Sequence, residues 1–231
     1  MKILTIDTCA EPSSIAIQVD GAAPEVIALP QGWRSSMVQE EITKLLSRHG
    51  MHSKDIDGYG VTTGPGTFTG VRIGLTVVKA LAEVHQKPII PMSTLELIAL
   101  AARNADKEHT RFAAVMDARR GQVFGAAYEM NGEEVRVAVE ETVGSLANFL
   151  ERVREQGLQD ACVCGVDLTA YLPELEKQGW KDCNTITVAA QLAGILAEET
   201  AVRLKRGEGK SPLEVDANYV RASDAEKFWS A

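Results

Sequence analysis

Two stretches of this chain follow the same plan, and that repetition limits the folds open to it. "KILTID" at residues 2–7 ends on an acid, turns, and returns as "SSIAIQV" at 13–19. "FAAVMDARRGQVFGAAYE" at 112–129 likewise runs apolar, reaches Asp117, turns and returns. Each reads as an antiparallel hairpin. "EVIAL" (25–29) and "EEVRVAVE" (133–140) add a third strand to each. Helical and extended patterns then alternate. The first half shows helix 35–49, strand 58–63, helix 70–86, strand 87–92 and helix 94–103. The second shows helix 145–156, strand 160–165, a helix near 170–178 and a long helix 187–206. A strand meander followed by α/β alternation, given twice, is a duplicated α/β unit. The polar stretch "NADKEHT" (104–110) breaks both periodicities. The expected organisation is an N-terminal lobe 1–105, joined by the C-terminal segment 212–231, and a smaller second lobe 106–211. Ser35 or Ser36 is the expected N-cap of helix 35–49, with Gly50 beyond its end, and Ser93 that of helix 94–103.

Composition narrows the function. The chain has 231 residues, 45% apolar and 24% charged, the balance of an ordinary globular protein. Its net charge is −8. Affinity for a phosphate backbone comes mainly from Lys and Arg releasing counterions, so contact with nucleic acid is expected to depend on a partner. The opening "MKILTIDTC" turns polar at Thr5 and Asp7, unlike a secretory leader, and no apolar run reaches a membrane span. A cytoplasmic protein without membrane contact is expected. Cys9, Cys162, Cys164 and Cys183 are scattered and read as reduced thiols. His49, His52, His85 and His109 show no ligand spacing with each other or with the cysteines, so no metal site is expected.

The glycine-rich stretch "TTGPGTFTGVRIG" (62–74) invites a phosphate reading. A P-loop has four residues between its glycines, then Lys and Ser/Thr. Here Gly66 and Gly70 have three residues between them, Val71 follows, and the turn holds no lysine. A dinucleotide fingerprint wants G-x-G-x-x-G and an acid ending the next strand. Here the spacing from Gly64 is G-x-G-x-x-x-G and the next strand ends in Pro91 and Met92. What remains of Gly64, Pro65, Gly66, Thr67, Phe68, Thr69 and Gly70 is a strand–turn–helix whose helix start offers free N–H groups.

The helix that follows has a narrow polar stripe of Arg72, Thr76, Lys79, Glu83 and Gln86. Val71, Ile73, Leu75, Val77, Val78, Leu81, Ala82 and Val84 make most of the rest apolar. A helix resting on one sheet needs a third to a half of its circumference apolar, so this one needs cover on a second side. Helix 35–49 carries Val38, Ile42, Leu45 and Leu46 on one face, with Met37 and Trp33 outside it. The two helices together are expected to present an apolar ridge to a partner, through Val38, Ile42, Leu45, Leu46, Val71, Ile73, Gly74, Leu75 and Val78.

"MKILTIDT", then "GPGTFTGVRIGLTVVKALA", then "MDARRGQVFGAAYE", in that order and spacing, resemble the TsaB (YeaZ) family, most strongly before residue 130. The resemblance implies a two-lobed, duplicated fold of the actin-like ATPase and ribonuclease H-like class (the ASKHA superfamily). It implies a non-catalytic subunit that docks through the two helices on a TsaD-type protein, the transferase that places threonylcarbamoyl on adenosine 37 of tRNA. A TsaE-type ATPase is expected to join the pair, tRNA to be met only through the complex, and the isolated chain to form a homodimer. No cofactor is expected to bind tightly, with ATP or ADP at most weakly held at the complex interface. The metal-binding H-x-x-x-H that TsaD carries is missing from this sequence.

Active superfamily members hold ATP with glycine-rich hairpins after each lobe's first strand. Here "DTCAEPSS" has no glycine and "DARRGQ" has only Gly121, while close backbone approach to phosphate needs glycine. Asp7, Thr8, Asp117, Arg119 and Arg120 are therefore read as a possible vestige of the nucleotide cleft. Asp7 either retains metal or phosphate chemistry or caps a turn, and the two arginines either meet an anion or stand solvated on a hairpin. The competing reading is a small ATP-dependent kinase or metallohydrolase acting alone, with Asp7 and Asp117 near the metal.

Overall fold

The computed structural model describes residues 1–132, 134–180 and 185–221. It divides into two compact units, and each is built around a five-stranded mixed sheet.

Unit 1 comprises Met1–Thr94 and Ala190–Asn218. Its strands are β1 (Lys2–Asp7), β2 (Ser14–Val19), β3 (Glu25–Ala28), β4 (Gly58–Gly64) and β5 (Ile89–Ser93), in the order β3-β2-β1-β4-β5. β1 and β3 both pair antiparallel to β2, while β4 runs parallel to both β1 and β5. α1 (Ser35–Arg48), α2 (Phe68–His85) and the start of α3 (Thr94–Ala105) are inserted along the way. Side chains alternate across this sheet as period-two patterning demands. Leu4, Ile6, Ile15, Ile17, Tyr59 and Val61 form one core with α1 and α2. Ile3 and Ala16 pack on the opposite face with α6 (Ala193–Lys205).

Unit 2 comprises Leu95–Ala189 and the described residues from Tyr219. Its strands are β6 (Arg111–Asp117), β7 (Val123–Asn131), β8 (Glu134–Gly144), β9 (Cys162–Gly165) and β10 (Thr185–Thr187). Their order, β10-β9-β6-β7-β8, repeats that of unit 1 with β6 in the place of β1. β6, β7 and β8 form an antiparallel meander, and β9 runs parallel to β6 and β10. α4 (Leu146–Glu155) sets Leu146, Phe149, Leu150 and Val153 into a core with Ala113, Val115, Val123 and Ala127. Leu175, on α5 (Leu172–Lys177), joins that core. The two sheets are the duplicated actin-like, ribonuclease H-like α/β fold expected from the repeated hairpins.

The unit boundaries fall elsewhere than expected. The first crossing is at Thr94, not 105, and the long helix assigned to the second lobe belongs to unit 1. The cause is visible in β1, β2 and β4. Thr5 Oγ1 donates to the Ala193 carbonyl (2.8 Å), and Ser14 Oγ accepts from Ala193 N (3.1 Å). Gly58 and Gly60, without a Cβ, leave room for Leu204 and Thr200 of the same helix. The segment 187–192 is not helical as expected: it holds the end of β10 and an irregular run. Of the tail expected on the first lobe, Val215 does pack there. Arg221 instead donates to the Ala118 carbonyl (2.8 Å) and Gln122 Oε1 (2.5 Å), both in unit 2. The rest of that tail, and Cys183, lie outside the described residues. No described helix is long and apolar enough to cross a membrane.

Candidate functional site

β4 delivers the chain into the glycine loop, and Thr67 caps α2 by accepting a bond from Gly70 N (3.1 Å). The loop glycines meet protein. A Cβ at Gly66 would lie 2.8 Å from Cys9 Cα, and one at Gly64 2.5 Å from the Asn218 carbonyl oxygen. One at Gly70 would press on the Thr8 carbonyl, and one at Gly74 on Thr8 Oγ1. Thr8 Oγ1 in turn donates to the Gly70 carbonyl (2.7 Å). The glycines thus let α2 and its leading turn seat directly on the backbone of the β1–β2 turn. Pro65 is buried in this contact, while Thr67, Phe68 and Thr69 are exposed.

Asp7 ends β1 fully buried. Its Oδ1 accepts from Thr62 Oγ1 (2.8 Å), Cys9 N (3.0 Å) and Ala10 N (3.3 Å). Its Oδ2 is buried without a hydrogen-bond partner. Burial raises the pKa of this carboxyl, opposed by the bonds from Cys9 N, Thr62 and Ala10 N. The neighbouring Cys9 thiol is pushed up to about 12, by burial first and the Asp7 charge second. Two amides of the first hairpin are therefore occupied by its own aspartate, the turn-capping role weighed for Asp7. Thr8 is likewise held by the loop.

The second hairpin differs. Asp117 keeps 51% of its side chain exposed, accepts from Arg119 N (2.8 Å), and faces Arg119 Nη1 at 3.5 Å. Arg119, Arg120 and Gly121 have φ of 62°, 57° and 70°, three successive left-handed residues. Both arginines are exposed. Arg221 clasps the hairpin from the side, its guanidinium 5.7 Å from the Phe124 ring.

The helices correct the expected partner ridge. Val38, Ile42, Leu45 and Leu46 of α1, and Val71, Gly74, Leu75 and Val78 of α2, are all buried within unit 1. Of the nine residues assigned to a partner, only Ile73 keeps part of its surface. The widest apolar arc of each helix goes to its own sheet, because a single sheet face is the first cover available to it. Outside Met37, half-buried, the outward face of α1 is polar: Ser36, Gln39, Glu40, Thr43, Lys44 and Ser47. Its expected serine cap is also absent: Arg34 occupies the N-cap with no side-chain bond.

α2 nevertheless carries more apolar surface than the sheet takes. At ~100° per residue, its buried residues span an arc of about 140°. Arg72, Thr76, Lys79 and Glu83 occupy a second arc of about 60°. Between them lies a third, also about 60° wide, of Ile73, Val77, Ala80 and Val84. Ile73 and Val77 are half-buried, Ala80 is exposed, and Val84 is 75% exposed. Phe68, 43% exposed, stands at the start of the helix under the Arg72 guanidinium, 3.7 Å from its ring centre. Periodicity alone had merged this strip with the buried arc. The signal available in the sequence was its separate 4-3-4 spacing.

The family model of TsaD, tRNA N6-adenosine threonylcarbamoyltransferase, matches residues 16–206. The TsaB protein of Bacillus subtilis (strain 168), a tRNA threonylcarbamoyladenosine biosynthesis protein, is 33% identical over 99% of this chain and 98% of its own. A tRNA N6-adenosine threonylcarbamoyltransferase of Methylorubrum extorquens (strain PA1) is 38% identical over only 86 residues, 37% of this chain and 24% of the transferase. The YeaZ structure from Pseudomonas aeruginosa superposes with a TM-score of 0.72 at 23% identity, covering 94% of this chain and 99% of that one. The fold therefore matches YeaZ end to end, and the sequence matches TsaB end to end but the transferase only in part. The chain belongs to the TsaB (YeaZ) family.

Proposed function

We propose that this chain serves tRNA threonylcarbamoyladenosine biosynthesis as a non-catalytic subunit, docking on a TsaD-type transferase and supporting its activity, with a TsaE-type ATPase joining the pair. The observation that carries this reading is the third arc of α2, the apolar strip of Ile73, Val77, Ala80 and Val84 left over after the sheet is served. A stable interface buries about 1,200 Å² or more, so the flanking Arg72, Thr76 and Phe68 form part of the rim. In the absence of TsaD the same strip is covered by a second copy of this chain.

The state of the first hairpin supports a non-catalytic role. A carboxylate serving a metal or a phosphate must be reachable, and Asp7 is enclosed with its Oδ1 already holding three donors. The loop glycines are occupied by the Thr8–Cys9 backbone. ATP or ADP is accordingly held weakly, and only at the interface formed with partners, and tRNA modification requires TsaD.

The test substitutes Val77→Asp and Val84→Asp and measures capture of purified TsaD. Each should weaken binding by at least about thirtyfold, the scale of a hot spot worth about 2 kcal/mol, with an unchanged circular dichroism spectrum. Val78→Asp, one residue away but fully buried, should unfold the chain instead. Normal TsaD capture by both outward variants would refute the docking surface. Modified tRNA produced by this chain without TsaD would refute the accessory role.

A further inference from the structure

Basic residues collect at one end of unit 1. α6 runs antiparallel to the parallel strands: its first residue meets Thr5, while Thr200 and Leu204 lie over Gly60 and Gly58. Its C-terminus therefore sits at the N-terminal ends of β1, β4 and β5. The exit from it supplies Arg203, Lys205, Arg206 and Lys210. Lys210 exchanges two backbone bonds with Ile89, each 2.9 Å, which brings it beside Lys87. Lys2 opens β1, and Lys54 stands in the 3-10 turn Ser53–Asp55 ahead of β4. Seven cations and the Met1 ammonium thus gather at one end of one sheet, against six acids: Asp20, Asp55, Asp57, Glu83, Glu208 and Glu214. Asp55 and Asp57 are engaged locally, accepting from His52 N and Lys2 N (2.8 Å each). Lys54, Lys205, Arg206 and Lys210 are exposed.

In a chain of net charge −8, this local excess of +2 (eight positive groups less six acids) is a departure from the sign of the whole. The helix dipole accounts for basic residues in the last turn of α6. The dipole of α2 accounts likewise for Lys87, just past its C-cap, but neither helix accounts for Lys54 and Lys210. Among the seven there is no aromatic side chain on which a base would stack, and exposed ammonium and guanidinium groups neutralise phosphates without reading sequence.

We infer that this end of unit 1 binds the phosphodiester backbone of RNA. The choice of RNA rests on the proposed part in tRNA modification, and the patch meets the α2 strip only at its Val84 end. Binding there is electrostatic and independent of sequence. It gives the acidic chain a direct contact with the substrate, where composition had made that contact depend on a partner.

The experiment uses the full chain, a labelled unmodified tRNA transcript, and fluorescence anisotropy between about 50 and 200 mM salt. Wild type should bind with an affinity that falls linearly in log–log form, at a slope of about −3 to −5. The triple variant Lys205→Glu, Arg206→Glu, Lys210→Glu should bind at least about tenfold more weakly, with a slope shallower by about 2 to 3. Its capture of TsaD should be unchanged. If circular dichroism shows that the reversal unfolds the chain, the Gln variants at the same three positions take its place. Equal tRNA affinity in variant and wild type would overturn the inference. So would no wild-type binding at 50 mM salt, or binding of phosphatidylserine vesicles with none of tRNA. Val77→Asp separates the two proposals: it should lose TsaD and keep RNA, and if it keeps TsaD the docking surface fails while the RNA contact is still judged by its own variant.

Discussion

Replacing Gly70 by alanine sets helix propensity against packing, and the structure fixes the sign. Gly70 lies in the first turn of α2, where alanine would be favoured by about 1 kcal/mol if propensity alone decided. The added methyl, however, would press on the Thr8 carbonyl and stand 2.7 Å from Thr67 Oγ1. The first is backbone, and it is fixed from the other side because Thr8 Oγ1 donates to the Gly70 carbonyl (2.7 Å). The second is the helix cap, whose displacement costs about 1 kcal/mol. Overpacking against a backbone that cannot yield adds about 1–3 kcal/mol. After the propensity gain, the expected net loss is about 1–3 kcal/mol, from a total on the order of 5–15 kcal/mol. Urea unfolding followed by circular dichroism would show it as a lower midpoint at an unchanged m-value. A midpoint equal to or above wild type would refute the claim that these glycines exist for close packing on the Thr8–Cys9 turn.

Asp7 offers a pH test. Burial raises its folded pKa above the ordinary 3.8, against the bonds from Cys9, Thr62 and Ala10, so the folded chain holds the proton to higher pH than the unfolded one. The stability it contributes is present below 3.8 and is lost as pH climbs through the folded value. Asp7→Asn lacks that loss, so urea midpoints should move in favour of the variant as pH rises above about 4; a constant difference would contradict the assignment. Arg221→Ala removes two donors from the β6–β7 hairpin, to Ala118 O and Gln122 Oε1. About 1–3 kcal/mol of local stability should go with them, read as faster hydrogen exchange at amides 118–122, and unchanged exchange would show that the clasp is idle.

Much of this architecture could be read from the chain. "KILTID" is β1 to the residue, and the acid-terminated hairpins at 2–19 and 112–129 announced the duplication. These signals are local: strand alternation and turn chemistry act within a few residues. What failed was long-range. That α6 belongs to unit 1 depends on Gly58 and Gly60 making room for it, a match between residues more than a hundred positions apart. The partner surface failed for a related reason. Periodicity shows that α2 is apolar over most of its circumference, but not which part faces its own sheet. Val78 and Val77 are chemically identical neighbours, and only the pose of the helix makes one core and the other surface. The missing lysine set the glycine loop apart from a P-loop in the sequence, yet what packs against it, the Thr8–Cys9 backbone, has no signature there.

The interruption of unit 1 between Thr94 and Ala190 has a consequence during synthesis. A nascent chain completes all five strands of the first sheet well before α6 leaves the ribosome. At about 5–20 residues per second, the intervening segment takes roughly 5–20 s to emerge. Throughout that interval Ile3, Ala16 and the bare backbone of Gly58 and Gly60 wait for a lid not yet made. Translational pauses between β5 and α6 should therefore lengthen the window in which this protein needs a chaperone.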